Sequence, residues 1–177
     1  MKKLYSLLMI LAMVATFSAC SKDDTPSDLP KDPIAAKLTK VTETVANKNS
    51  AAIATAEFGL TDYKELEGLT KWVKKGTINT KVAEIKFSNL PTDKENFKLT
   101  KVKMSLVNNP NISLTLPDIT SEISFSDPNH HTFLQSLLDD LVSKKKSNVK
   151  IEFESNELIS AKPLKISINL DARFDFK

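Results

Sequence analysis

Between residues 164 and 176 every second position is apolar: Leu164, Ile166, Ile168, Leu170, Ala172, Phe174 and Phe176 alternate with Lys165, Ser167, Asn169, Asp171, Arg173 and Asp175. A period of two sends successive side chains to opposite faces of an extended chain, so the run predicts a long strand with one face buried and one in water. Residues 148–154 repeat the pattern, with Val149, Ile151 and Phe153 facing one way and Asn148, Lys150, Glu152 and Glu154 the other. The shorter run is the expected antiparallel partner of the longer one, joined to it through Ser155-Asn156 and a less regular segment containing Pro163.

The period changes between residues 128 and 143. Phe133, Leu134, Leu137, Leu138, Leu141 and Val142 recur at three- and four-residue spacing, which places them on one stripe of an α-helix. Asp127 is a good N-cap and Pro128 suits the first helical position, where its missing N–H costs nothing. Lys144, Lys145 and Lys146 follow at the negative end of the helix dipole. Such a helix is expected to cover one end or edge of a sheet sandwich.

Further strands are expected over residues 77–90, 97–107, 111–116 and 119–125. In the first of these Ile78 and Val82 lie on one phase and Ile85 and Phe87 on the other, which predicts a bulge near Ala83 or Glu84. A similar change of parity falls between Leu99 and Val102, and Asn108-Asn109-Pro110 has the composition of a turn. Nearer the N-terminus, Ile34, Leu38, Val41 and Val45 have helical spacing, yet the Thr-rich run 38–45 also suits a strand. Residues 51–58 read as a strand. Residues 62–75 read as a second short helix, opened by Asp62 and Glu65 as a capping box and divided at Gly68. The fold class expected is mainly β: an antiparallel β-sandwich with one amphipathic α-helix (128–143), a second short helix (62–75), and a single domain over residues 34–177.

The first 24 residues follow another logic. Lys2 and Lys3 precede a nearly uncharged apolar run, residues 4–17, too short to span a bilayer, which needs about 20 apolar residues. This is the pattern of a secretory signal, here residues 1–19. It closes on Phe17-Ser18-Ala19-Cys20, which resembles the lipobox of bacterial lipoproteins, although Phe17 stands where Leu is usual. Cys20 is the only cysteine, and an unpaired thiol is an odd thing to keep in an exported protein; acylation would resolve the oddity. Ser21, Lys22, Asp23 and Asp24 resemble the export signal of Bacteroidota-type surface lipoproteins, a short acidic cluster just after the acylated cysteine. Residues 20–33 would form the lipidated cysteine and a tether rich in Ser, Asp, Lys and Pro, extended or disordered by composition. The order of tether, strands, one helix and closing strands resembles the small β-sandwich lipoproteins common in Bacteroidota. That resemblance implies outer-membrane attachment through Cys20, facing the cell exterior, and brings no reaction with it.

Charge removes one class of partner. Without Lys2 and Lys3, 23 basic residues face 22 acidic ones, which is not the strong basic excess of a nucleic-acid binder. Chemistry is sparse as well. The three glycines form no phosphate-binding loop, there is no GxSxG, and no cysteine is left after lipidation. The only histidines, His130 and His131, are neighbours on the expected helix and point about 100° apart, so they are read as exposed first-turn residues and not as metal ligands. Carboxylates at Asp139-Asp140, Glu152, Glu154, Asp171 and Asp175 are read as partners of Lys150, Lys165 and Arg173, and the clusters Lys71, Lys74, Lys75 and Lys144 to Lys146 as solvated ends. Tyr63 and Trp72 are read as core or half-buried packing residues. Together these features describe a non-enzymatic binding or structural interaction module, without cofactor or metal, with an unidentified protein or glycan partner. A carrier of an apolar ligand, held between sheet and helix, is the alternative.

Overall fold

Three extended stretches of the chain each bend once, at one common level, and these bends set the architecture. The computed structural model describes residues 29–177, apart from the side chains of residues 160 and 161. The first stretch holds β1 (Ile34–Ala36) and β2 (Thr39–Ala46), the second β4 (Val73–Ile78) and β5 (Glu84–Ser88), the third β10 (Ile159–Asn169) and β11 (Ala172–Phe176). On one side of the bend they form sheet A, in the order β1-β11-β4; on the other they form sheet B, β2-β10-β5, extended by β8 (Ile123–Phe125). Both sheets are antiparallel, and the last stretch is central in each.

Backbone groups that lose their ladder partners at the bend find others there. Leu170 N–H donates to Leu38 C=O at 2.8 Å, and Asn79 N–H donates to Asp171 C=O at 2.8 Å. Leu38 N–H donates to the Asp171 carboxylate at 3.0 Å. Apolar alternation runs through the bend unbroken, with Leu164, Ile166, Ile168, Leu170, Ala172 and Phe174 all buried. The expected single strand over 164–176 is therefore two strands with one continuous buried face. Residues 77–90 are likewise not one bulged strand: residues 79–83 turn the chain from sheet A into sheet B, and that corner is what changes the parity.

The facing layer is sheet C, built from β3 (Ser50–Gly59), β6 (Leu99–Leu106), β7 (Asn109–Thr115) and β9 (Lys146–Ser155) in the order β3-β9-β6-β7. Its inward residues, among them Ala54, Ala56, Phe58, Val102, Met104, Val149, Ile151 and Phe153, join one core with those of the bent layer. Here the expected pairing is corrected. The 148–154 run lies within β9, which pairs with β3 and β6 and not with the terminal stretch. Alternation reports which face is buried and is silent on which strand is alongside; residues 156–158 cross between the layers, and Pro163 already lies within β10. The parity change between Leu99 and Val102 is a true bulge, with Lys101 at φ 54° and the β6–β9 register shifting between Thr100 and Lys103. The turn after β6 is Val107-Asn108, so Asn109 and Pro110 already belong to the edge strand β7.

The second short helix over 62–75 is also corrected. The chain there makes three 3-10 turns, Leu60–Asp62, Lys64–Leu66 and Thr70–Trp72, and then enters β4. Tyr63 is extended (φ −79°, ψ 106°), and the Asp62 carboxylate reaches back to Gly59 N–H at 2.7 Å instead of opening a helix with Glu65. Gly68 takes φ 74°, a left-handed conformation that suits glycine. This irregular path lets both Tyr63 and Leu66 reach the core, each with no exposed surface.

The one long helix, α1 (Pro128–Lys144), forms as its stripe predicts. Asp127 accepts from Asn129 N–H at 2.9 Å and His130 N–H at 3.2 Å. Phe133, Leu134, Leu137, Leu138 and Leu141 are buried against sheets A and C. A Cβ on Gly76 of β4 would stand 2.9 Å from the Leu138 side chain, so helix and strand approach as closely as glycine permits. Gln135 closes the exposed edge of β4: its amide nitrogen donates to Gly76 C=O at 3.0 Å, and its oxygen accepts from Ile78 N–H at 3.0 Å. The helix stops at Lys145, whose φ of 67° is a left-handed cap, with its N–H donating to Leu141 C=O.

Candidate functional site

The residues singled out at the N-terminus for lipidation and export, Cys20 and Ser21, Lys22, Asp23 and Asp24, lie outside the described residues. The other candidates can be placed. His130 is not an exposed first-turn residue: it is 7% exposed, stacks on Phe125 with ring centroids 5.1 Å apart, and brings Nδ1 within 2.6 Å of the Asp127 carboxylate, though not along the line of a hydrogen bond. Its first-turn position on the inward side of α1, over β8, explains the burial, because Phe125 needs a flat cover there. Loss of water pulls the Asp127 carboxyl up, but the His130 N–H and imidazole and the Asn129 N–H together hold it below its ordinary value. No group of three His, Cys, Asp or Glu side chains that could hold a metal occurs among the described residues.

Except for Asp175, which makes none of the ion pairs present, the carboxylates are dispersed into separate structural tasks. Glu154 pairs with Lys101 across strands at 2.8 Å, Glu152 with Lys150 on its own strand at 2.9 Å, and Lys165 with Glu43 across strands at 3.2 Å. Asp140 accepts from Ser147 Oγ at 2.7 Å and pairs with Lys144, Asp139 accepts from Gln135, and Asp171 holds the bend. Tyr63 is a core residue, its ring edge-on to Phe174 and its hydroxyl donating to Leu170 C=O at 2.6 Å. Burial pushes that phenol far above its ordinary range, with Asp171, Asp62 and Glu65 adding to the shift. Trp72 is half-buried beneath the Lys71 ammonium, which stands 4.6 Å above its ring. Where α1 meets β4, Leu138 packs against Gly76 and Phe174.

What the fold does assemble is a groove of about 540 Å³ at one end of sheet A. β4 and the turn before it supply Lys71, Lys74 and Lys75, the helix supplies Val142 and Ser143, its cap supplies Lys145, and the residue after β11 is Lys177. Five lysines thus share one opening with a single lining acidic side chain, Asp139, which is already hydrogen-bonded to Gln135. Among the described residues, none of the five lies within 4.0 Å of a carboxylate oxygen; the nine ion pairs present use other lysines or His130. Burial lowers the Lys145 ammonium below its ordinary value, and the charge of Lys177 lowers it further. Ammonium groups are hydrogen-bond donors only, so the groove is equipped to hold anions.

Along the sequence the lysine groups 71–75 and 144–146 read as separate solvated ends. The pairing of β11 with β4 and the close seat of α1 on Gly76 bring parts of both together with Lys177. Neither contact leaves a mark in charge spacing. A second groove of about 610 Å³, between residues 89–94 and 157–162, carries Asp93, Glu122 and Glu157 against Lys94 and Lys162, and so has no dominant sign. No protein-family model matches this chain, and no curated protein matches it.

Proposed function

We propose that the chain is an envelope lipoprotein, held at the outer membrane by acyl chains on Cys20 and facing the cell exterior, whose β-sandwich is a non-enzymatic interaction module. The observation that carries this reading is the run Phe17-Ser18-Ala19-Cys20 followed by Asp23-Asp24 and a polar, proline-punctuated tether that ends where β1 begins at Ile34. Among the described residues no helix is long and apolar enough to cross a membrane; in this reading the acyl chains on Cys20 supply the attachment. One acyl chain binds reversibly, whereas each further chain adds about 0.8 kcal/mol per buried CH₂, so two or three hold firmly. Support for a binding role over catalysis comes from the carboxylates singled out in the sequence, all of which but Asp175 are taken up in ion pairs, hydrogen bonds or the bend.

The test is fractionation of cells making the wild-type chain or Cys20→Ala, with protease added to intact cells. The expected result is wild type in the outer-membrane fraction and digested from outside, with the variant lost from membranes. A variant that stays membrane-bound removes the anchor, and a wild type that is bound yet protected removes the outward facing.

A further inference from the structure

The lysine groove and the tether lie at the same end of the domain. In sheet A, Ile34 of β1 stands opposite Phe174 of β11, which stands opposite Gly76 of β4. From that row one further step leads to Pro33 on the first strand, to Asp175 and then Lys177 on the second, and to Lys75, Lys74 and Lys71 on the third. The tether therefore leaves two strand spacings, about 10 Å, from the lysines. We propose that this end of the sandwich docks on anionic lipid headgroups of the membrane that holds the tether. The proposal rests on the lipoprotein reading for its geometry, and on the groove for its chemistry.

Charge separates the two ends of the molecule. At the tether end Lys71, Lys74, Lys75, Lys145 and Lys177 line the groove and Lys31 lies on the exposed tether, against the carboxylates of Asp32, Asp139 and Asp175. Lys75 and Asp175 face each other in register, yet no ion pair closes between them. At the far end, beyond the Ile159–Ala46 pair, Lys48 is bonded to Glu157 at 3.3 Å and Lys94 stands beside Asp93 at 3.7 Å, leaving of the lysines there only Lys162 outside the ion pairs, in a groove that also holds Glu122. Cations left unpaired at the end nearest the headgroups are what an anionic surface attracts, and the attraction fades beyond a Debye length of about 8 Å at physiological salt. The tether, at most about 45 Å long from roughly 3.5 Å per residue, permits contact without enforcing it.

Trp72 is the only tryptophan and sits under Lys71, so the protein carries its own probe at this end. The acylated full-length protein is reconstituted into vesicles whose headgroups carry a quencher, either of neutral phosphatidylcholine alone or with about one-third phosphatidylglycerol. Docking predicts strong quenching of Trp72 in the anionic vesicles, little in the neutral ones, and its loss in molar salt. Lys71→Gln/Lys74→Gln/Lys75→Gln lowers the docked fraction roughly ten-fold or more, while Lys81→Gln/Lys86→Gln/Lys103→Gln, with the same net charge, leaves it unchanged. Equal thermal unfolding of the two variants confirms that folding is not the cause. Equal quenching in neutral vesicles, or none in anionic ones, overturns the proposal, as does a wild-type response to a soluble acidic polysaccharide but not to anionic vesicles. Flotation of the same vesicles in molar salt scores the anchor separately; a protein that does not float but is quenched by added anionic vesicles keeps the docking and loses the lipoprotein.

Discussion

The backbone N–H of Leu38 donates to the carboxylate of Asp171 across 3.0 Å, joining residues 133 positions apart at the level where three strands turn together. Asp171 also accepts Asn79 N–H on its carbonyl, and its own N–H donates to Asn169 Oδ1 at 3.0 Å. One residue thus ties the outer stretches to the central one at the corner. Its place in the polar phase of the terminal run is a structural requirement.

Asp171→Ala removes the acceptor for a partly buried N–H, which costs about 1–3 kcal/mol. Asp171→Asn keeps one oxygen and is expected to lose less than half as much. Urea unfolding of the two variants checks this; equal stability of Ala and wild type would show that water serves Leu38 as well as the carboxylate does.

Gly76→Ala forces a methyl against Leu138 at 2.9 Å and Phe174 at 3.1 Å, both fully buried, and is expected to cost about 1–3 kcal/mol by overpacking. The cost should shrink when Leu138 is first shortened to Ala, giving a coupling on the order of 1 kcal/mol in a double-mutant cycle. Additive losses would place the strain in the backbone of β4 instead.

Asp62 supplies the pH dependence. Burial raises its carboxyl, but Lys40 at 2.8 Å and the Gly59 N–H at 2.7 Å outweigh that and hold it below its ordinary value of 3.8. A carboxyl lowered on folding binds its proton more readily in the unfolded chain, so it contributes stability above pH 3.8 and loses it as pH falls through the folded value. Asp62→Asn is expected to be less stable than wild type near neutrality, with the difference closing in acid. Parallel denaturation curves at each pH measure it, and a constant gap would mean that shape and not charge holds the turn.

Which faces are buried was legible from period alone: the stripe on α1, the alternation in β9 through β11, and the bulge at Lys101 all follow from spacing. Neighbours were not. Nothing local distinguishes Val149 beside Ala56 from Val149 beside a terminal-strand residue, because both pairings bury the same atoms. The 62–75 segment misled because Asp62 has the composition of a helix opener, while its carboxylate is claimed by Lys40, a residue 22 positions earlier. His130 misled for a related reason: its partner in stacking, Phe125, lies before the cap and across a turn. The lysine groove depends on two such distant contacts at once, and so was legible only as lysines.

The central place of β10 and β11 sets an order of events. Ile34 meets Phe174, and Thr39 meets Asn169, so neither sheet A nor sheet B has a middle until residues 159–176 are present. A chain delivered from its N-terminus must hold residues 34–46 without their sheet partner while more than a hundred residues follow, and residues 73–88 without their central partner while about 70 follow; contacts of such separation make folding slow. Through that interval residues 34–46 and 73–78 are open edges and β5 is paired on its β8 side alone, and the domain closes in one late step when its last long stretch slides between them.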